Sequence, residues 1–358
     1  MRRQTKYMVS GALIGGGLTV LGDILFQWFQ HNENGQEFNW SSINTNRTLR
    51  NGLIGAGLGS GIGYFSYNSK KNKESNSEFC PETYFKEVLE SENVKNESKL
   101  FNKNLEYRRK VKSFLSKIYS NKLAVLPEDT GSFHKRTAIG SNYDIDILLA
   151  FKRYEFGTLS DMYHDVLHSL ETRFKGEAKI KRQRKSIELT FFSNGYEFRF
   201  DIVPGREIND YRVDKKLNFY VCPDWFWQMG SLSKSHVALD KNITVNKPQE
   251  RKVIKLMKAY RDRNRIILPT TLIEQCVVKS LSESNYGVSN FTMDNLLNSM
   301  EYIAKRLENG SVRDMSNGHN DLAKKMSLYD KYRIARFLRR DVSRIDNDSH
   351  YIKEVFQF

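Results

Sequence analysis

An apolar strand that opens with two carboxylates constrains this chain more than any other feature. Asp144-Ile145-Asp146 leads directly into Ile147-Leu-Leu-Ala-Phe151. Side chains at i and i+2 of a strand share a face, about 7 Å apart along it. A core strand does not carry two carboxylates on one face without a cation to meet them, and this spacing suits a grip on adjacent divalent ions. Upstream, Gly131-Ser132 sits where a short strand, read at Leu123–Leu126, gives way to a turn; eleven residues separate Ser132 from Asp144. Downstream, Ile187–Phe192 reads as a strand, Ser193-Asn-Gly195 as a turn and Tyr196–Pro204 as the return strand. In that strand Phe198 and Phe200 alternate with Arg199 and Asp201, so Asp201 stands on the face away from the rings. A Gly-Ser pair alone reads as a turn, and Asp-x-Asp alone as a loop pair. At this spacing, with a third carboxylate on a hairpin strand, the three describe one site.

The residues around the site agree. Lys95–Ser120 is charged with apolar residues at helical spacing (Leu100, Leu105, Val111, Phe114, Leu115, Ile118), which predicts a helix. The string Gly131-Ser132, Asp144-Ile-Asp146, then Asp201 before Val203-Pro204 resembles the DNA polymerase β nucleotidyltransferase superfamily. Within it, GSFHKRTAIGSNYDIDILL is similar to the cGAS/DncV-like nucleotidyltransferases (CD-NTases) and their oligoadenylate synthetase relatives. Lys255-Leu-Met-Lys258-Ala-Tyr260-Arg261, followed by Leu272-Ile-Glu274, resembles that family's helical pair, and Asn317-Gly-His-Asn320-Asp321 its late loop. The resemblance spans roughly residues 95–345.

The resemblance implies an α+β fold: a polymerase β-like nucleotidyltransferase lobe at 95–215 and a helical substrate-binding lobe at 216–358. Ahead of them come a two-helix hairpin at 1–70 and a linker at 71–94. It implies that Asp144 and Asp146 hold two Mg²⁺ ions, with Mn²⁺ as an alternative. Asp201 would complete the ion beside the attacking 3′ or 2′ hydroxyl and help take its proton. Gly131 and Ser132 would meet the triphosphate at a helix N-terminus, and Lys258 would contact phosphates or base. The implied activity is synthesis of a cyclic or short linear oligonucleotide second messenger from NTPs, as in bacterial antiphage signalling, read by a downstream effector protein. Two other readings stay open: nucleotide addition to a nucleic acid or protein acceptor, and a membrane effector whose lobe only senses nucleotides. Three retained carboxylates speak against a mere sensor.

The first 70 residues pose a separate question. Met8–Phe29 is apolar with Asp23 its sole charge, and Asn51–Tyr67 is a second apolar run. Each is just long enough to span about 30 Å of hydrocarbon. Glycine costs a water-exposed helix about 1 kcal/mol per residue, whereas in lipid Gly55, Gly59 and Gly63, with Gly11 and Gly15, give small faces that pack closely. The predicted arrangement is a transmembrane hairpin with both ends, and the catalytic part, in the cytoplasm, since Arg2, Arg3, Lys6, Lys70, Lys71 and Lys73 flank it. A signal peptide, a buried soluble hairpin and a glycine-rich arm are the competing readings. Asp23 counts against the bilayer, and Arg47 and Arg50 weaken the orientation.

Lys+Arg outnumber Asp+Glu 57 to 42, and the first 78 residues hold 8 basic and 5 acidic, leaving +12 on the rest. Lys175, Lys179, Lys181, Arg182, Arg184 and Lys185 precede the hairpin; Lys331, Arg333, Arg336, Arg339, Arg340 and Arg344 share a predicted C-terminal helix. Such surfaces suit a nucleic acid or oligonucleotide, anionic lipid headgroups, or solvent alone. Trp225 and Trp227 read as core or lid, and His134 as an exposed loop residue. Three scattered cysteines exclude a disulfide framework and a zinc ribbon.

Overall fold

The computed structural model describes residues 79–95, 98–140, 143–223, 231–283 and 288–357, with Leu18, Val20 and Ile24. Apart from those three positions both glycine-rich runs lie outside the described residues, as do Trp225 and Trp227. Among the described residues no helix is long and apolar enough to cross a membrane. The chain divides into two units, Met1–Tyr84 with Ser284–Asp294, and Phe85–Glu283 with Asn295–Phe358. In the first, the Met293 N–H donates to Glu82 Oε1 at 3.1 Å. The second holds everything that follows.

Its frame is a mixed sheet of β1 (Glu128–Thr130), β2 (Ile145–Phe151), β3 (Ala178–Arg182), β4 (Ile187–Ser193), β5 (Tyr196–Glu207), β6 (Lys216–Val221) and β7 (Ser231–His236). The path runs β1-β2-β5-β4-β3, with β6 on β5 and β7 on β6, so the sheet continues past residue 215. Strands β2 and β5 are parallel, joined by a crossover through a helix and the β3–β4 pair; the other pairings are antiparallel. The β4–β5 turn is the expected one. Asn194 and Gly195 take φ of +51° and +79°, the two left-handed positions of a tight hairpin.

Strand β2 is apolar on both faces because both are covered. Ile145, Ile147, Leu149 and Phe151 enter one core with Val111 and Leu115 of α1 (Ser98–Ile118) and Met162, Tyr163, Val166 and Leu170 of α3 (Leu159–Arg173), which follows the short α2 (Gly131–His134). Those α3 positions form one apolar helix face, and each fully buried large side chain contributes roughly 1.5–3 kcal/mol. Thr158 fixes the start of α3 with a reciprocal cap: Asp161 N–H donates to Thr158 Oγ1 and Thr158 N–H to Asp161 Oδ2. On the other face Leu148, Ala150 and Val203 pack with Tyr211, Leu217 and Phe219. One step towards the start of β2, that same face carries Asp146 and Asp201.

One expected strand is displaced. Leu123 makes only an isolated bridge to Phe151, and pairing with β2 begins at Glu128. Pro127 separates the two stretches and offers no N–H to a ladder. After the sheet come α4 (Val237–Lys241), α5 (Pro248–Arg263), α6 (Thr270–Ser282) and α7 (Leu328–Asn347).

Candidate active site

Parallel pairing of β2 and β5 sets Asp146 directly beside Asp201, and antiparallel pairing of β1 and β2 sets Thr130 on the other side of Asp146. Gly131 follows at once, with φ +64°. A Cβ there would collide with the Asp146 carboxylate, so glycine is required for both backbone conformation and space. The backbone turn therefore rests against the carboxylate. Ser132 closes it: its carbonyl accepts from Thr137 N–H (2.9 Å) and Ala138 N–H (3.2 Å). The helix that follows is a single turn of four residues. Asp144 lies one pleat outward, with Oδ1 3.4 Å from Arg199 Nε.

Burial dominates the electrostatics of all three acids. It pushes Asp146 up to about 6, with Asp144 adding repulsion against the pull of Lys135. It pushes Asp201 up to about 7, reinforced by Asp146, Asp144 and Glu188. Asp144 is raised as well, by desolvation first, against the pull of Arg199. Their negative charge is under-compensated from within the protein. An oxygen-only donor set of this kind fits a hard divalent cation such as Mg²⁺ or Mn²⁺. Among the described residues no three such ligands are already gathered into a metal-binding cluster.

A second ionic group lies behind the first, and it is closed. Glu274, 1% exposed on α6, accepts from Lys258 Nζ at 2.7 Å, Lys135 Nζ at 2.6 Å and Thr137 Oγ1 at 2.9 Å. Lys135 also reaches Asp240 Oδ1 at 3.2 Å, and Lys258 the Thr137 carbonyl at 2.9 Å. Burial works against the ionised Glu274, but the two lysines outweigh it and hold its carboxyl near 2. The same contacts raise Lys135 despite its burial. The expectation for Lys258 thus meets a different arrangement. It borders the cleft, but it is 3% exposed and spends its ammonium on Thr137 and Glu274.

Between these groups lies a cleft of about 500 Å³, lined by Gly131, Ser132, Lys135, the three aspartates, Lys258, Arg261, Thr270 and Glu274. Sequence reasoning did not assign roles to Lys135, Thr137, Asp240 or Glu274. A signal existed in Glu274, a carboxylate inside the apolar run Leu272–Val278 of a helix, which needs a cationic partner. His134 is half-buried, and burial first, with Lys241, lowers its pKa. The late loop works structurally. Asp314 Oδ1 accepts from Gln275 Nε2 (2.8 Å), Asn320 Nδ2 donates to Asp314 Oδ2 (3.1 Å), and Asp321 Oδ1 accepts from Val312 N–H (2.8 Å). On α7, Lys331 is buried against the Gly310 carbonyl, while Arg333, Arg339 and Arg340 pair with Asp330, Glu308 and Asp341.

No protein-family model matches the chain, and no curated protein matches it in sequence. Solved structures do. E. coli MS115-1 CdnC with ATP superposes at a TM-score of 0.60 and 17% identity, over 77% of this chain and 98% of that one. The Bradyrhizobium diazoefficiens CD-NTase CdnG in complex with GTP gives 0.56 at 13% identity, over 77% and 95%. A CdnC:HORMA-deltaN complex from the same E. coli strain gives 0.55 at 17%, over 71% and 90%. The chain has the CD-NTase fold.

Proposed function

We propose that this protein is a divalent-metal-dependent nucleotidyltransferase that joins nucleoside triphosphates into a cyclic or short linear oligonucleotide second messenger. The observation that carries the reading is the in-register pair Asp146 and Asp201, with the Gly131 turn packed against Asp146. Similar folds were solved with ATP and with GTP. Asp144, Asp146 and Asp201 would hold the metal, two Mg²⁺ or Mn²⁺ ions, which when bound neutralises charge on the reacting phosphates.

The chain's own groups do the positioning. Gly131 lets the backbone approach the triphosphate, and Ser132 offers it a hydroxyl and an N–H. An acceptor hydroxyl oxygen forms a bond to the α-phosphorus of the donor NTP. The α–β anhydride bond breaks, and pyrophosphate leaves with the electron pair. The hydroxyl proton passes to Asp201 and on to solvent. Glu274 holds Lys135 and Thr137 in the cleft wall, so the turn carrying Gly131 and Ser132 keeps its position relative to α5 and α6. The product would signal through a downstream effector protein in antiphage defence, with the two apolar runs anchoring a cytoplasmic enzyme to a membrane.

The test incubates full-length protein with each labelled NTP and Mg²⁺ or Mn²⁺, then identifies phosphatase-resistant products by mass spectrometry. An oligonucleotide is expected. Its absence under every NTP pairing, from folded protein, would overturn the reading. Anchoring is tested separately: full-length protein should stay with membranes through carbonate extraction, and recovery in the soluble fraction would refute the anchor alone.

A further inference from the structure

Helix α7 has a face that the fold does not use. Ile334, Leu338, Val342 and Ile345 form its buried side. The other side begins with Leu328 (68% exposed), Tyr329 (74%) and Tyr332 (54%). Leu328 and Tyr332 are i,i+4 neighbours, and Tyr329 and Tyr332 are i,i+3 neighbours, so the three lie together. Single apolar side chains on a surface are ordinary, whereas three grouped at one place form a patch. The helix start beneath them is fixed. Ser327 caps it, its Oγ accepting from Asp330 N–H at 3.0 Å.

The cations around the patch divide into used and unused ones. Lys331 is buried against the Gly310 carbonyl, Arg339 meets Glu308, Arg340 meets Asp341, and Arg344 Nη1 donates to the Tyr351 hydroxyl at 2.9 Å. Arg333 keeps only an exposed contact with Asp330 at 3.4 Å. Among the described residues Arg336 has no ion-pair partner, nor have Lys324 and Lys325 just ahead of the helix, and all three are exposed. Arg333 and Arg336 stand one turn beyond Tyr329 and Tyr332, on the same face. Positive charge with little or no internal match therefore precedes the apolar patch and follows it.

We propose that this end of α7 is a docking surface for a bilayer that carries acidic phospholipids. Leu328 and the two tyrosine rings enter the headgroup layer, and Lys324, Lys325, Arg333 and Arg336 reach along it to lipid phosphates. Charge selects acidic over neutral lipid. The apolar part selects lipid over nucleic acid, whose phosphates meet the cations but leave Leu328 in water. The inference rests on the proposed membrane anchor for the presence of a bilayer, and it adds a contact made by the folded lobe itself. A tether alone leaves a lobe free to turn; a second contact fixes which side faces the lipid.

The test is lysine acetylation of full-length protein on vesicles, read residue by residue by mass spectrometry. The vesicles are phosphatidylcholine alone or phosphatidylcholine with phosphatidylserine at about 7:3. Lys324 and Lys325 should react at least about fivefold more slowly on the acidic vesicles. Lys175, exposed between α3 and β3, should change by less than about twofold, and about 0.5 M salt should weaken the protection. Tyr329→Ser/Tyr332→Ser/Arg336→Gln should abolish the protection, at a circular-dichroism melt like wild type's. Arg336→Gln alone, which has no ion pair to lose, should reduce it by about half or more. Equal reaction on both vesicles in wild type, equal slowing at Lys175, or protection retained in both variants overturns the docking surface. So does protection by a single-stranded RNA without protection by acidic vesicles, which assigns the face to nucleic acid. The anchor fails separately: protein released by carbonate yet protected on acidic vesicles loses the anchor and keeps this surface, and protein retained without protection does the reverse.

Discussion

Two clusters of charge border one cleft, one half-open and one buried, and they are opposites. Asp144, Asp146 and Asp201 share one face of the sheet, with Arg199 flanking Asp144, and burial drives Asp146 and Asp201 to about 6 and 7. Glu274 receives two lysines and a threonine, and its carboxyl falls to about 2. The first cluster is incomplete by itself and invites a cation from outside. The second is complete and works as a brace. Burial alone therefore does not mark a working acid; the balance of partners around it does.

The largest expected effect comes from breaking the open cluster. Asp144→Ala with Asp146→Ala should abolish product formation, a loss of at least about 10³-fold given what metal-held charge supplies to transition states. The melting temperature without metal should hold or rise slightly, since two repelling carboxylates are gone. Wild-type turnover by the double variant would sink the metal assignment.

Breaking the closed cluster should do the reverse. Glu274→Ala leaves Lys135 and Lys258 buried without their shared anion, a loss of about 3–5 kcal/mol, read by urea denaturation. A variant as stable as wild type would show that the brace is not one.

Acid titration sharpens the same contrast. The Glu274 carboxyl lies lower folded than unfolded, so its stabilisation is present above the ordinary pKa of 4.5 and is lost as pH falls towards about 2. The span of that shift corresponds to about 3 kcal/mol. Glu274→Gln should flatten this limb of the stability–pH curve, measured by melts from pH 6 to 2.5; an unchanged limb would place the acid sensitivity elsewhere.

The smallest effect concerns the arginine that partly compensates the open cluster. Arg199 is 36% exposed and 3.4 Å from Asp144, so its field is screened. Arg199→Gln should tighten Mn²⁺ binding a few-fold at low salt, by calorimetry or electron paramagnetic resonance. Weaker binding would mean that the arginine orients Asp144 more than it competes for it.

What the chain discloses in advance follows from the range of each interaction. Strand alternation is local, so Ile145–Phe151, the Asn194-Gly195 hairpin and the shared face of Asp144 and Asp146 were all legible, whereas the glycine at 131, read as making room for a phosphate, also makes room for the Asp146 carboxylate. The partners of Glu274 were not: Thr137 lies 137 residues away, and no local pattern says which lysine meets which carboxylate. Lys258 shows the cost. Its helix was readable, but whether its ammonium faced a phosphate or a buried glutamate depended on an element not yet in view. The basic residues behaved likewise. Of two adjacent positions on β3, Lys181 faces the site and Arg182 faces Cys222, a distinction set by which side of the sheet is packed.

The parallel pairing of β2 with β5 also has a consequence in time. Asp146 and Asp201 lie far apart in the chain, separated by the crossover helix and the β3–β4 pair, and meet only when β5 docks beside β2. Such non-local pairings are slow to close. During synthesis the emerging polypeptide holds the first half of the carboxylate pair long before the second, and Glu274 arrives later still. A stalled, truncated or half-folded chain therefore lacks the complete carboxylate set, and on the proposed function it would gain activity only once its sheet is complete.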